Sequence, residues 1–266
     1  MSSSIRVALF LCDTPIPSVV AEDGDYTDVF NALLEKSLPE ISAVTFTLDS
    51  YDVRNKQEYP PNIDDYHGII LTGSAASAYE NLDWINKLVS FVASVAQEKP
   101  QVKLIGICFG HQIIARALGG ECVPNSGNWE VGVTEVSLSD IGKQLFGVPT
   151  LNIQQMHRDH VPELPPSCLL LGSTAVAPNQ GMVRFYAGAP ARPSAVDVQI
   201  FTVQGHPEFT QRISEKIINT RSSTGVLSAE IVKDAQKRAE WRNDGVSVVG
   251  KFIWAVLGVR DARSQI

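Results

Sequence analysis

The stretch KLIGICFGHQIIARALGG at residues 103–120 changes its hydrophobic period at a single residue. Up to Cys108 the apolar side chains Leu104, Ile105 and Ile107 run almost without interruption, as a strand buried on both faces requires. From Gly110 onward Ile113, Ile114, Ala117 and Leu118 follow the spacing of one helix face. A strand that becomes a helix with almost no loop between them points to an α/β architecture, and it leaves one thiol on the bend.

Further apolar runs at 7–11, 44–48, 67–71, 131–138, 150–153, 168–172, 182–187 and 199–203 read as strands. Helical patterns occupy 25–36, 82–98, 110–117, 210–220, 228–243 and 246–257. Strand and helix alternate through the first half, which predicts an α/β domain around a mainly parallel sheet. The later half is richer in strands, so antiparallel edges are expected there. At 266 residues the pattern fits one large domain over 1–266, with the C-terminal helices at 228–257 included.

Charge and cysteine usage narrow the function classes. Lys and Arg number 22 against 29 Asp and Glu, a net charge of −7, so no global positive field draws the chain to nucleic acid or an anionic membrane. The opening MSSSIRVALFLCDTP carries a short apolar run that stops at Asp13 and Pro15, which reads as a first strand rather than a signal peptide. The run VSVVGKFIWAVLG is interrupted by Lys251 and is too short to span a bilayer. Cys12, Cys108, Cys122 and Cys168 lie far apart with no C-x-x-C pair, as expected of reduced thiols in the cytoplasm.

The bend at Cys108 is built for a nucleophile. Gly106 and Gly110 let backbone pass close by, and the N-terminus of the following helix supplies unpaired N–H groups and a positive dipole end that favour a thiolate. Downstream, IFTVQGHPEF repeats the theme: an apolar strand ends at Gly205, His206, Pro207 and Glu208. A histidine just past a strand end can lie over the same sheet edge as Cys108, and Glu208 can orient its ring.

Cys108, Gly110 and Gln112 as Cys-x-Gly-x-Gln, together with His206–Pro207–Glu208, resemble the class I (triad) glutamine amidotransferases. The resemblance runs along nearly the whole chain. It implies a flavodoxin-like three-layer α/β/α sandwich, attack by Cys108 on a γ-glutamyl amide, and a thioester intermediate. It also implies a triad of Cys108, His206 and Glu208, with an oxyanion hole made by the backbone N–H groups of Gly73 and Phe109. Ser74 stands where the family more often has a second glycine.

The segment QMHRDHV is similar to the Ser-His-x-Asp segment of the guanosine monophosphate synthetase amidotransferases, which lies beside the bound glutamine. With Ser74 and Gln112 this makes His157 and Arg158 the expected substrate contacts, and the arginine fork matches a carboxylate. Trp129 and Glu130, in NSGNWEVG, fit the segment that lines the γ-glutamyl pocket in relatives. His157 and His160 lack a third ligand, so no metal is expected, and no cofactor is called for. His111 reads as a helix-packing residue.

Members of the family release ammonia and pass it to a synthetase domain, for which this length leaves no room. Neither a Ser-Gly-Gly-x-Asp loop nor a G-x-x-x-x-G-K-[ST] motif occurs. Ammonia then goes to a separate synthetase, or Cys108 hydrolyses its substrate outright. The Met-His-Arg-Asp segment, the Gly-Ser-x-x-Ser-Ala-Tyr segment ending at Tyr79 and the C-terminal helix pair look most like stand-alone members, which include plant γ-glutamyl peptidases and fungal relatives. That resemblance implies hydrolysis of γ-glutamyl peptides. A non-catalytic regulatory module of the same fold is a further alternative, against which the intact Cys108, His206 and Glu208 speak.

Overall fold

A computed structural model describes residues 4–40 and 44–259, so the expected extent 1–266 runs beyond the described residues at both ends. In chain order the elements are β1 (Ser4–Leu11), α1 (Pro17–Asp23), α2 (Tyr26–Ser37), β2 (Thr45–Asp52), β3 (Gly68–Leu71), α3 (Asp83–Glu98), β4 (Lys103–Ile107), α4 (Phe109–Ala117), β5 (Val123–Pro124) and β6 (Glu130–Leu138). There follow α5 (Asp140–Phe146), β7 (Thr150–His157), β8 (Asp159–His160), β9 (Leu169–Leu170), β10 (Gly172–Ser173), β11 (Gly181–Phe185), β12 (Val198–Val203), α6 (Gln211–Ser223), α7 (Ala229–Lys237), a π-helical segment (Gly245–Gly250) and α8 (Lys251–Val256).

The central sheet has the order β2-β1-β3-β4-β12-β11-β9. Strands β2, β1, β3, β4 and β12 pair in parallel, while β11 runs antiparallel to β12 and β9 antiparallel to β11. The architecture is thus the expected mainly parallel one with antiparallel strands added late. Side chains along the strands alternate between two cores: Val7, Leu9 and Ile70 join Leu33, Leu34 and Trp254 on one face, and Ala8, Phe10 and Ile69 join Ile85, Leu88 and Ile113 on the other. Each such fully buried Leu or Ile contributes about 1.5–3 kcal/mol, which explains why the strands read as continuous apolar runs.

A second, antiparallel sheet β10-β6-β7 stands beside the first. It is tied to the end of β12 by a bridge between Gln154 and His206, whose N–H donates to the Gln154 carbonyl at 2.8 Å. The run 168–172, expected as one strand, divides at Leu171 into β9 and β10, which serve different sheets. The helix expected over 228–243 ends at Lys237, and the one expected over 246–257 begins with the π-helical segment. Among the described residues no helix is long and apolar enough to cross a membrane.

Candidate active site

Adjacent parallel strands β3, β4 and β12 end at the same sheet edge, and the chain leaving each contributes to one small area. That is the edge at which open α/β sheets bind ligands. Cys108 caps α4 with φ 51° and ψ −103°, a left-handed conformation that a residue with a Cβ adopts only at a cost of about 1–3 kcal/mol. Its N–H donates to the Val203 carbonyl of β12 at 2.9 Å, and a Cβ on Gly106 would lie 2.6 Å from the Gly110 carbonyl oxygen. The bend is therefore held by the neighbouring strand and admits no side chain at Gly106.

His206 lies past the end of β12 with its Nδ1 2.8 Å from Glu208 Oε1, both residues buried. The ring stacks face to face on Phe209, centroids 4.0 Å apart. A side chain on Gly73 would strike His206 Cε1 at 2.8 Å and approach the Cys108 Cβ at 3.7 Å, so Gly73 borders both residues. Burial alone would push the imidazole down, but the Cys108 sulfur and the Glu208 carboxylate outweigh it and raise the ring to about 10. Cys108, His206 and Glu208, expected together from the sequence, are together.

The loop after β3 is pinned from a distance. Asp13, at the exit of β1, accepts from the Ala75 N–H at 2.7 Å and the Ser74 hydroxyl at 3.2 Å, and it pairs with Arg54. The Thr72 hydroxyl donates to the Gly73 carbonyl at 3.1 Å and accepts from the Cys12 N–H. Phe109, the first residue of α4, has no intrahelical acceptor for its N–H.

Gln112 donates both amide hydrogens inward, to the Asp159 carbonyl and to Gln204 Oε1, each at 3.1 Å. Gln204 in turn donates to Cys108 Sγ at 3.5 Å. His157 is buried: its Nδ1 meets the Asp159 carbonyl at 3.0 Å, and its Nε2 stands 3.0 Å from Glu130 Oε2, off line for a hydrogen bond. Burial would raise the Glu130 carboxyl, yet His157, Thr174 and Gln180 hold it below its ordinary value. His111 donates or accepts at Nδ1 with Thr202 Oγ1 at 2.7 Å, and burial pulls it down to about 3.

Two adjoining cavities, of about 80 and 190 Å³, open at Cys108. The first contains His206 and is walled by Ile16, Val19, Ile213 and Ile217, with Tyr26 and Arg221 also in its lining. The second lacks His206 and presents Gln112, Trp129, His157 and Arg158. Arg221 and Arg158 both lie over the Trp129 ring, at 5.4 and 5.7 Å from its centroid. Asp13, Gln204, Tyr26 and Arg221 had no signal in the sequence: each reaches the site across a long separation, and none stands in a motif.

The turn at Pro207 is braced from behind. Pro207 backbone packs directly on Gly245, Asn243 Nδ2 donates to the Phe209 carbonyl at 3.0 Å, and Asp244 exchanges backbone and side-chain hydrogen bonds with Asn152 of β7.

The family profile of glutamine amidotransferase class-I matches residues 24–221. A glutamine amidotransferase-like protein of Schizosaccharomyces pombe is 36% identical over 241 residues, covering 88% of this chain and 92% of the relative. Gamma-glutamyl peptidase 3 of Arabidopsis thaliana is 29% identical over 243 residues, covering 88% and 89%. The crystal structure of a glutamine amidotransferase from Thermotoga maritima superimposes with a TM-score of 0.68 over 95% of this chain and 98% of that one, at 16% identity, which establishes the shared flavodoxin-like fold. The chain belongs to the class I glutamine amidotransferases.

Proposed function

We propose that this protein hydrolyses the γ-glutamyl amide bond of glutamine or γ-glutamyl peptides through a thioester on Cys108. The observation that carries the reading is the strained Cys108 bend facing a histidine whose other side is held by Glu208 at 2.8 Å. With its proton held to about pH 10, His206 enters the reaction as an imidazolium beside the sulfur. The sulfur attacks the γ-carbonyl carbon, and the Gly73 and Phe109 N–H groups receive the developing oxyanion. The C–N bond then breaks as His206 gives its proton to the departing amine. Water, losing a proton to the now neutral His206, attacks the thioester; the S–C bond breaks, and glutamate and the free sulfur are restored. Water is the one co-reactant this sequence needs.

The polar cavity is suited to the γ-glutamyl portion, with Arg158 toward its α-carboxylate and Ser74, Gln112 and His157 shaping the walls. The likeness to a gamma-glutamyl peptidase supports release of an amine other than ammonia. All four cysteines are free and buried, which supports a reducing, cytoplasmic setting.

The test is glutamate release from glutamine and from glutathione, side by side, with the purified protein and Cys108→Ser. Turnover of either that vanishes in Cys108→Ser supports the reading. Cleavage of glutamine that starts only when a synthetase is added would make the chain an ammonia-supplying subunit. No cleavage under any condition would leave a regulatory module.

A further inference from the structure

Arg221 lies in the last turn of α6, at the junction of the two cavities, and is half-buried. Burial pulls its guanidinium down from the ordinary value. Among the described residues no carboxylate or other hydrogen-bond partner meets it; the contact it makes is with the Trp129 ring. The Cys108 sulfur and Asp13 favour the cation without hydrogen-bonding it, so its guanidinium N–H groups, drawn partly out of water, are arranged for an anion that arrives from outside. The Tyr26 hydroxyl in the same cavity is likewise without a partner, and burial pushes it up so that it stays a neutral donor. Asp13, the acid on this wall, is already engaged by Arg54, the Ser74 hydroxyl and the Ala75 N–H.

The two cavities differ in which end of the substrate they can take. A proton for the departing amine comes from His206, and His206 lines the apolar cavity alone. The amine must therefore leave there, while the acyl portion occupies the polar cavity. Ammonia leaving from glutamine would leave Ile16, Val19, Ile213 and Ile217 uncovered.

Resting on the γ-glutamyl hydrolase reading, we propose that this apolar cavity is a leaving-group subsite for an α-amino acid with an apolar side chain. Its carboxylate is bound by Arg221 and the Tyr26 hydroxyl. The preferred substrates are then γ-glutamyl dipeptides ending in an apolar residue. A further C-terminal residue moves the carboxylate on by about 3.5 Å and weakens the match.

The test compares kcat/KM for γ-glutamyl-leucine and γ-glutamyl-leucinamide, which differ in that carboxylate alone, with glutamine as reference. The wild type is expected to prefer the free acid over the amide about 10- to 100-fold, the range of a hydrogen-bonded charge. In Arg221→Met the ratio is expected to fall to near one, and in Arg221→Lys, which keeps the charge but not the fork, to an intermediate value. A ratio unchanged in Arg221→Met, or a wild type indifferent to the carboxylate, overturns the subsite. If glutamine and both dipeptides remain uncleaved, the hydrolase reading fails, and the subsite is judged by calorimetry with the same two dipeptides. A Kd difference of tenfold or more that disappears in Arg221→Met upholds it, and equal Kd values in the wild type refute it.

Discussion

Two buried histidines flank the Cys108 bend, His111 in the first turn of α4 and His206 just past β12, and their protons behave in opposite ways. His111 meets the neutral Thr202 hydroxyl, and burial takes it down to about 3. His206 is as inaccessible to water, yet the Cys108 sulfur and the Glu208 carboxylate overcome the same penalty and bring it to about 10. Depth in the protein is common to both, so what separates a structural imidazole from a proton-bearing one is the anions it faces.

The severest way to break this contrast is to remove the members of the charged group. Cys108→Ser and His206→Ala are each expected to lower kcat by at least about 10³-fold with little change in far-UV circular dichroism, because they act as one unit. Glutamate release within tenfold of wild type in His206→Ala would erase the distinction between the two histidines.

Glu208→Gln tests what raises His206. A group whose folded value lies above its free value keeps its proton through neutral pH, so kcat/KM that depends on the imidazolium holds there and falls as pH rises through about 10. The substitution is expected to reduce kcat/KM about 10- to 100-fold and to move that alkaline limb to lower pH. A pH profile whose limb stays in place would mean that Glu208 does not set the proton on His206.

Gln204→Leu removes the amide that reaches the Cys108 sulfur at 3.5 Å and is expected to cost about tenfold in kcat. Stopped-flow alkylation with iodoacetamide is the companion measurement, since an unchanged rate would separate Gln204 from the sulfur. His111→Gln should have the smallest effect on turnover, within about threefold, while losing about 1–3 kcal/mol of stability in urea as the fit to Thr202 is disturbed. A kcat loss comparable to that of His206→Ala would show that His111, too, takes part in the chemistry at Cys108.

The parallel half of the sheet was legible because β1, β3, β4 and β12 are largely buried on both faces and so carry near-continuous apolar residues. Strand β2 was read only over 44–48, since it lies at the sheet edge, where Asp49, Ser50 and Asp52 continue the pairing to Leu11 without an apolar pattern. Strand β7 was cut short for the opposite reason: Gln154, Gln155 and His157 are buried, and they break the pattern. Helix α1, with Val19 its one buried residue, and α5, with Gly142 its one, bury too little to leave a periodic trace. At the site, Cys108, His206 and Glu208 stood out because each follows a strand whose end the apolar run marks. Asp13 and Arg221 did not, because their importance arises from tertiary proximity to Ala75 and to Trp129.

The segment that bears on Pro207 lies outside the span recognised as the family. The profile ends at Arg221, whereas Asn243, Asp244 and Gly245 hold the Phe209 carbonyl, the Asn152 backbone and the face of Pro207. A fusion partner or expression fragment trimmed to the recognised span would keep Cys108, His206 and Glu208 and lose the surface that fixes the turn between the last two. The portable unit of this fold is longer at its C-terminal side than its sequence signature, and grafting it into another protein means carrying the chain at least through residue 256.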